Sequence, residues 1–308
     1  MPARIETLPP HYRRNFAAFV VDYVFFGIAL GFMNLSSIVP AFVRQLTASA
    51  PVIGLSSTLF AGGFQLPQSL FAHLLGDKPR KRPYMLLGTP GRLVLWVFAA
   101  ALWAGLGRRP AAMLTLFIAG MVLFAASDGL ITIMWFDIMA RTIPPQRRGR
   151  MIGLAQIISG IAGIGVGTLV GLILSAPYRQ PLAAYALLFF LAGASMVPST
   201  VALALIWEPP PQAEDEVSPK GARGGMLRAA LRDPAFVWLV VCRLLVSGVD
   251  MATPFYVGHA QDWLHLPARL IGGFVIAQTL GSIVSSVVLG AVSERHGART
   301  VIRITSAV

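Results

Sequence analysis

From Ala111 to Met139 the chain reads AAMLTLFIAGMVLFAASDGLITIMWFDIM, and the only charges in that stretch are Asp128 and Asp137. Crossing the hydrocarbon core of a bilayer takes about 20 apolar residues at about 1.5 Å of rise each. This stretch is long enough to span with tilt to spare. Helix is the form it must take, because lipid offers no partner for open backbone N–H and C=O groups. A barrel strand would alternate in polarity over about ten residues; the run Ala183–Leu191, AAYALLFFL, shows no alternation.

Outward from this stretch, seven others share its character: Phe16–Val39, Val52–Leu75, Tyr84–Leu106, Met151–Ala176, Leu182–Ile206, Phe236–Val257 and Leu270–Val292. Prolines mark the edges at Pro40, Pro51, Pro110, Pro177, Pro181 and Pro234, whereas Pro67 and Pro198 fall inside spans and predict kinks. Over 308 residues, 56% are hydrophobic and 12% charged, with mean hydropathy +0.69; soluble domains carry about a quarter charged residues. A sphere of this size has no interior large enough for so much apolar surface. A soluble enzyme, a disordered chain and a disulfide scaffold are excluded; the single cysteine, Cys242, has no internal partner. The reading is an all-α polytopic membrane helix bundle. Its first span starts too late and runs too long for a cleaved signal peptide, so it is expected to be retained.

The basic residues divide by side. Of 25 Lys and Arg, 18 fall in the N-terminal tail and alternate connections, five (Arg44, Arg108, Arg109, Arg179, Arg269) on the other side, and Arg92 and Arg243 inside spans. That asymmetry predicts a cytoplasmic N-terminus. The net charge of +12 is then mainly a topology signal, helped by anionic lipid. Nucleic acid is not an expected partner, since the basic loops are short and lack interleaved aromatics. The connection 208–233 holds Pro209-Pro210-Pro211, Glu214-Asp215-Glu216, Gly221, Gly224 and Gly225, a linker composition. It separates six spans in 1–207 from two spans and the start of a third in 234–308. Within it, Met226–Leu231 reads either as a short amphipathic surface helix or as plain linker.

One pattern repeats. After the second span comes Gly76-Asp77-Lys78-Pro79-Arg80-Lys81-Arg82; after the eighth comes Gly290-Ala291-Val292-Ser293-Glu294-Arg295-His296-Gly297-Ala298-Arg299. Each is a helix end, an acid and a basic cluster. Recurrence in one orientation after an even number of spans suggests two halves related by an axis along the membrane normal. A third motif, Pro144-Pro145-Gln146-Arg147-Arg148-Gly149-Arg150-Met151-Ile152-Gly153, precedes the fifth span.

Together these resemble the major facilitator superfamily of secondary transporters. The family carries G-x-x-x-D-R-x-G-R-(R/K) between its second and third helices, an echo between the eighth and ninth, and P-x-x-x-R-G-x-x-x-G into the fifth. Gly290, Glu294, Arg295, Gly297 and Arg299 match the echo. Asp77, Lys78, Lys81 and Arg82 match the first copy, where His73 and Arg80 replace glycines; Arg148 and Gly149 match the third motif. The resemblance implies alternating access, a prokaryotic plasma membrane, and a cytoplasmic gate in which Asp77 exchanges partners while Arg82 supports it. It also implies twelve helices. Eight spans and the start of a ninth are expected to be a fragment of a longer chain.

Ionisable groups inside spans are costly and therefore candidates for function. They are Asp22, Arg92, Asp128, Asp137, Arg243 and Asp250. Asp137 and Arg141, at i,i+4 spacing, read as a structural ion pair. Asp22 and Arg92 lie near span ends and either snorkel or pair there. Asp128 is nine residues from Asp137, about 900° of rotation, so the two face opposite sides. Asp128, Thr132 and Trp135 share a stripe consistent with a cavity wall, and Arg243 and Asp250 share a face of span seven. The resemblance puts the first, fourth, seventh and tenth helices around the cavity. Asp128, Arg243 and Asp250 are thus candidates for binding a small solute or protons, with buried structural ion pairs the equal alternative. Asn34, Gln65, Gln68, Gln156 and Gln278 are weaker polar candidates.

Glycines Gly163, Gly167 and Gly171 make a small-residue stripe on span five, Gly27 and Gly31 on span one, and Gly281 with Ser285 on span eight. Such stripes let backbones approach, and the expectation is that spans five and eight pack along them. The family's antiporters carry G-x-x-x-G-P-x-x-G-G on the fifth helix; Thr168 and Leu172 depart from it. No H-E-x-x-H, P-loop or G-x-S-x-G occurs. Neither an enzyme, a metal site nor a cofactor is expected. The functional reading is a permease for a small solute in the lipid bilayer; a transporter-like scaffold or sensor, or an inactive fragment, is the alternative.

Overall fold

A computed structural model describes residues 9–76, 78–177, 182–210, 230–247, 252–267, 269–297, 300–301, 303 and 305. The expectations placed on Asp77, Asp250, Arg299 and all but the last two residues of the surface helix Met226–Leu231 lie outside the described residues, as do the side chains of Arg243, Glu294 and Arg295. Described residues form helices and no strand. In order these are α1 (Tyr12–Phe32), α2 (Ile38–Arg44), α3 (Ala50–Leu75), α4 (Arg82–Gly88), α5 (Val94–Trp103), α6 (Pro110–Thr142), α7 (Pro145–Ser175), α8 (Ala183–Leu205), α9 (Pro234–Ser247), α10 (Tyr256–Trp263) and α11 (Leu270–His296).

Five runs are long and apolar enough to cross a membrane by length and composition: α1, the run Arg82–Trp103, α6, α7 and α8. Helix α3 has 26 residues and α11 has 27, the latter with an apolar run Leu270–Ser285. Both have the length to cross, at about 1.5 Å per residue.

Among the described residues three expected spans are not single helices; the seventh, Phe236–Val257, is α-helical to Ser247 and contains the 3-10 turn Thr253–Phe255 before α10 begins. The first breaks at 33–37, where Asn34 turns the chain and α2 begins. The third passes from α4 to α5 through a 3-10 stretch, Thr89–Leu93, which has Pro90 in its first turn and carries Arg92. A proline removes one ladder hydrogen bond, and the tighter winding accommodates that loss while re-aiming Arg92.

One end of the bundle gathers His11, Lys81, Arg141 and Arg148 and is called the basic end; the other holds Arg44, Arg108 and Asp262 and is called the far end. Helix α1 packs on α7 and α8, α3 on α6, α5 on α8, and α11 on α7. At the far end, α10 meets α2 and the turn Thr253–Phe255 meets α3.

Two apolar clusters fill the interior. Toward the far end, Phe42 meets Phe117 and Phe189 with ring centroids 5.2 Å apart, and Phe98 joins them at 5.1 Å and 5.5 Å. Toward the basic end, Phe19 meets Trp135 edge-on at 4.9 Å among Met134, Ile138 and Leu203. Lipid tails are as apolar as leucine, so ring geometry and close packing select this arrangement more than exclusion from water does. Leu123, Leu169, Leu172, Val201 and Leu244 are exposed on the outside, which suits a surface facing lipid.

Helices α7 and α11 are antiparallel, and their register is visible at the glycines. A Cβ at Gly163 would lie 3.1 Å from Thr279 Cγ2, one at Gly167 2.5 Å from Ile276 Cγ1 and 3.0 Å from Gly272 O, and one at Gly171 3.1 Å from Arg269 O. Gly281 faces open space, and the close approach on α11 is made at Gly272 instead. Gly27 and Gly31 of α1 press on Ser159 and Val166 of α7. The contact continues at Gly160, where a Cβ would lie 2.7 Å from Ile283 Cδ1, whereas one at Gly153 or Gly149 would meet no described residue within 4 Å.

Candidate functional site

A cavity of about 740 Å³ lies between α1, α7 and α11. Its polar lining comes from Tyr23, Asn34 and Ser36 near α1, Gln156 and Ser159 on α7, and Gln278, Thr279 and Ser282 on α11. Leu30, Leu35, Ile157, Val275 and Ile283 complete the wall. No acid, lysine, arginine or histidine lines it among the described residues. That composition suits orientation of a solute through hydrogen bonds over an apolar floor.

The far side of the cavity is closed by contacts between α1–α3 and α10–α11. Asn34 Nδ2 donates to Gln278 Oε1 at 2.7 Å. Beyond it, Phe255 covers Gly54, where a Cβ would come 3.2 Å from the ring. At the rim, Arg44 Nη2 donates to both carboxylate oxygens of Asp262 at 2.7 Å, and the Arg44 side chain lies against Gly258. This arginine holds the exposed Asp262 carboxyl below its usual range.

A second polar group lies between the two apolar clusters. Arg92 donates through Nε and Nη2 to Asp128 Oδ1 at 3.1 and 3.0 Å, and through Nη1 to Ser199 Oγ at 2.7 Å and Thr200 Oγ1 at 3.2 Å. Ser199 Oγ donates to Asp22 Oδ1 at 2.5 Å, and that oxygen stands 3.9 Å from Arg92 Nη2. Arg92, Asp128 and Asp22 are 4%, 1% and 6% exposed. Among the described residues, Asp128 Oδ2 has no hydrogen-bond partner. Two carboxylates share one guanidinium, so with both ionised the group carries one uncompensated negative charge.

The basic end is tied by a third set of contacts. Lys81, 1% exposed, donates to Leu75 O at 2.8 Å and Gly76 O at 2.7 Å, closing the carboxyl end of α3. Its Nζ is 3.7 Å from Asp137, which pairs with Arg141 at 2.6 Å. Glu208 accepts from the backbone N–H of Lys81 at 2.5 Å and of Arg82 at 3.0 Å. A carboxylate there satisfies the open N–H groups at the start of α4 and meets the positive end of its dipole. Asn15 and Trp207 exchange two hydrogen bonds of 2.8 Å. Residues 207 and 208, where the linker begins, are therefore fixed to the bundle.

The sequence candidates distribute as follows. Asn34 lines the cavity, while Gln65 is exposed on α3. Asp128 and Trp135 correct the expectation of a cavity wall: both are buried on α6 and neither lines the cavity, because Arg92 and Phe19 of neighbouring helices cover their stripe. Asp22 and Arg92, placed near span ends by the sequence, join Asp128 in the interior. Lys78 is exposed. Arg82 donates to Ala204 O, and Arg148 folds back onto Ile143 O and Ala140 O at the end of α6. Gly297 ends α11 with φ 80°, a left-handed value that glycine adopts without strain. Glu208 was missed; the available signal was an α4 start, Lys81-Arg82-Pro83, with no capping acceptor of its own. Among the described residues, no group of three His, Cys, Asp or Glu side chains is placed to hold a metal ion.

A polytopic helix bundle with a polar cavity between its earlier and later helices is an architecture that membrane transporters share. The family model of the Major Facilitator Superfamily matches residues 23–308, and the chain belongs to that family. Membership places it among proteins that move small solutes across membranes. Among solved structures, one described as "Crystal structure of D-xylose-proton symporter" is similar, with TM-score 0.62, 12% identity, 92% of this chain covered and 68% of that chain. At that identity the likeness is one of fold. No curated protein matches.

Proposed function

We propose that this chain carries its solute by alternating access, that the solute occupies the cavity between α1, α7 and α11, and that protons are coupled to its movement through Asp22, Arg92 and Asp128. Segments 1–207 and 234–308 are the two moving halves, joined by 208–233, with the basic end in the cytoplasm of a prokaryotic cell. The observation that carries this reading is the asymmetry of the cavity. Its far side is bridged by Asn34–Gln278 and Arg44–Asp262, while at Gly153, which lines it toward the basic end, a Cβ would meet no described residue within 4 Å. That is the form expected of a carrier open to one side.

Helix α1 connects solute and proton. Tyr23 and Gly27 on one face line the cavity, while Asp22 belongs to the buried group and Phe26 lies 5.7 Å from the Arg92 guanidinium. Adding one proton to the two carboxylates balances the guanidinium, which relieves a buried charge. It also loosens one acid from Arg92, allowing α1 to reset. The D-xylose–proton symporter of similar fold makes a neutral sugar with a proton a reasonable first pair to test.

The test is flux into proteoliposomes holding the full-length protein, with labelled D-xylose and an imposed pH gradient. Uptake driven by the gradient, with that dependence on the gradient lost in Asp128→Asn, supports the whole reading. Uptake indifferent to the gradient removes the proton part. No movement of any small solute in a broad panel, from protein that is folded, favours the scaffold reading.

A further inference from the structure

The orientation of the Asn34 carboxamide is decided by its own backbone. Its Oδ1 accepts from the backbone N–H of Ser36 and of Ser37, each at 3.0 Å, and from the Ser37 hydroxyl at 3.0 Å. Those donors form the break between α1 and α2 and settle which end of the amide is oxygen. The –NH2 end therefore meets the cavity as a donor of fixed direction, held by Gln278 Oε1 at 2.7 Å. An amide nitrogen carries two protons, so a second donor remains beside the one given to Gln278.

The backbone behind this donor is stiff. Ile38, Val39, Phe42 and Val43 of α2 are fully buried, with Phe42 locked among Phe117, Tyr185 and Phe189. Gln278, by contrast, is an exposed side chain on α11, whose other polar contact here is a long one of 3.4 Å to Ser36 Oγ. One partner is thus fixed and the other exchangeable. With no charged side chain lining the cavity among the described residues, an ionised solute would leave its charge unpaired. An uncharged solute with hydroxyl or carbonyl oxygens meets directed donors instead.

We propose that Asn34 is the residue that selects the solute: it offers its fixed –NH2 to an acceptor oxygen of an uncharged, oxygen-rich solute, which takes the place of Gln278. This rests on the transport reading for its choice of cavity. Exchange of partners removes the amide link between α1 and α11 at cavity level and leaves Arg44–Asp262 at the rim. Solute occupancy would then favour opening of the far end, since the occupied and empty states differ in that contact.

The experiment uses full-length protein in lipid nanodiscs with Cys242→Ser and nitroxides on Ala48→Cys and Trp263→Cys, both exposed near the far end. D-xylose and erythritol are the uncharged probes, gluconate and glucosamine the charged ones. Uncharged probes are expected to lengthen the far-end distance, and charged ones not. Asn34→Asp keeps an acceptor for the three cap donors but loses the –NH2. Its melting temperature is expected to stay near that of the parent, while the probe concentration needed rises about tenfold or more, as when a site loses a directed hydrogen bond. Gln278→Ala is expected to widen the distance distribution without any probe and to keep the response. A parent that answers charged probes equally, or answers no uncharged one, overturns the proposal; so does an Asn34→Asp protein with the parent's response. Counterflow of labelled D-xylose in liposomes is the separate control. A far end that answers the sugar in a protein that moves none of it sinks the transport reading and leaves the assignment of Asn34 standing.

Discussion

Arg92 and Asp128 meet at 3.0 Å in the interior of the bundle, and Asp22 stands 3.9 Å from the same guanidinium. The three come from α1, the 3-10 stretch between α4 and α5, and α6, so each helix is held by a charge it does not itself balance. Ser199 and Thr200 of α8 complete the ring.

The partners are not equivalent. Arg92→Gln leaves two buried carboxylates without a cation and is expected to cost about 3–5 kcal/mol, the usual penalty for breaking a buried pair from one side. Asp128→Asn leaves Arg92 with Asp22, a balanced pair, and an amide oxygen still able to accept. It should destabilise much less and instead alter the pH dependence of transport. Thermal unfolding of both variants in detergent, with uptake measured across pH, checks the order. Equal loss of stability would mean that Asp22 contributes nothing to the balance.

The all-helical class, the long apolar helices such as α6, α7 and α8, and the Asp137–Arg141 pair were legible because they depend on local spacing alone. The stripe of Asp128 and Trp135 was legible as a stripe, but not its surroundings. A helical period says which residues share a face; it does not say that Arg92 of another helix will meet that face. The break at Asn34 was hidden for a related reason. Asn34-Leu35-Ser36-Ser37 is short and flanked by apolar runs, so hydropathy runs straight through it. Glu208 sits at the head of a linker-like composition, and only the packed bundle shows it capping a helix start more than a hundred residues earlier.

Glu208 gives a second expectation. Its carboxylate accepts from two backbone N–H groups at the start of α4, so Glu208→Ala removes a charge-assisted cap and should cost about 1 kcal/mol. Glu208→Gln keeps one acceptor oxygen and should cost less. Limited proteolysis within 209–233 is the sensitive measurement, since release of Glu208 frees the start of that segment. Unchanged cleavage in Glu208→Ala would show that the Asn15–Trp207 exchange holds this exit alone.

Along the contact between α7 and α11 the glycines are not interchangeable. At Gly167 a Cβ would lie 2.5 Å from Ile276 and 3.0 Å from a backbone oxygen, so Gly167→Leu must push the helices apart. Folding yield and transport should both fall. Gly281→Leu, with nothing within 4 Å of its Cβ position, should leave folding yield unaffected. Size-exclusion profiles of the two full-length variants separate them, and similar profiles would deny that this register is the one in the membrane.

At the rim, Arg44–Asp262 sets a defined dependence on pH and salt. The Arg44 hydrogen bond lowers the Asp262 pKa below its ordinary 3.8. A lowered carboxylate contributes fully above its ordinary value and loses that contribution only as pH falls through the lowered one. This pair should therefore hold the far end equally well from about pH 5 to about pH 8. Salt is different. The pair is exposed, and raising ionic strength from about 0.1 to about 1 M shortens the screening length from about 10 to about 3 Å. The population with a long distance between nitroxides at positions 48 and 263 should rise modestly in high salt, by about fivefold at most for an exposed pair. In Arg44→Ala that population should start high and ignore salt. A parent whose far end opens between pH 8 and pH 5, yet not in salt, would assign the closure to a different titrating group.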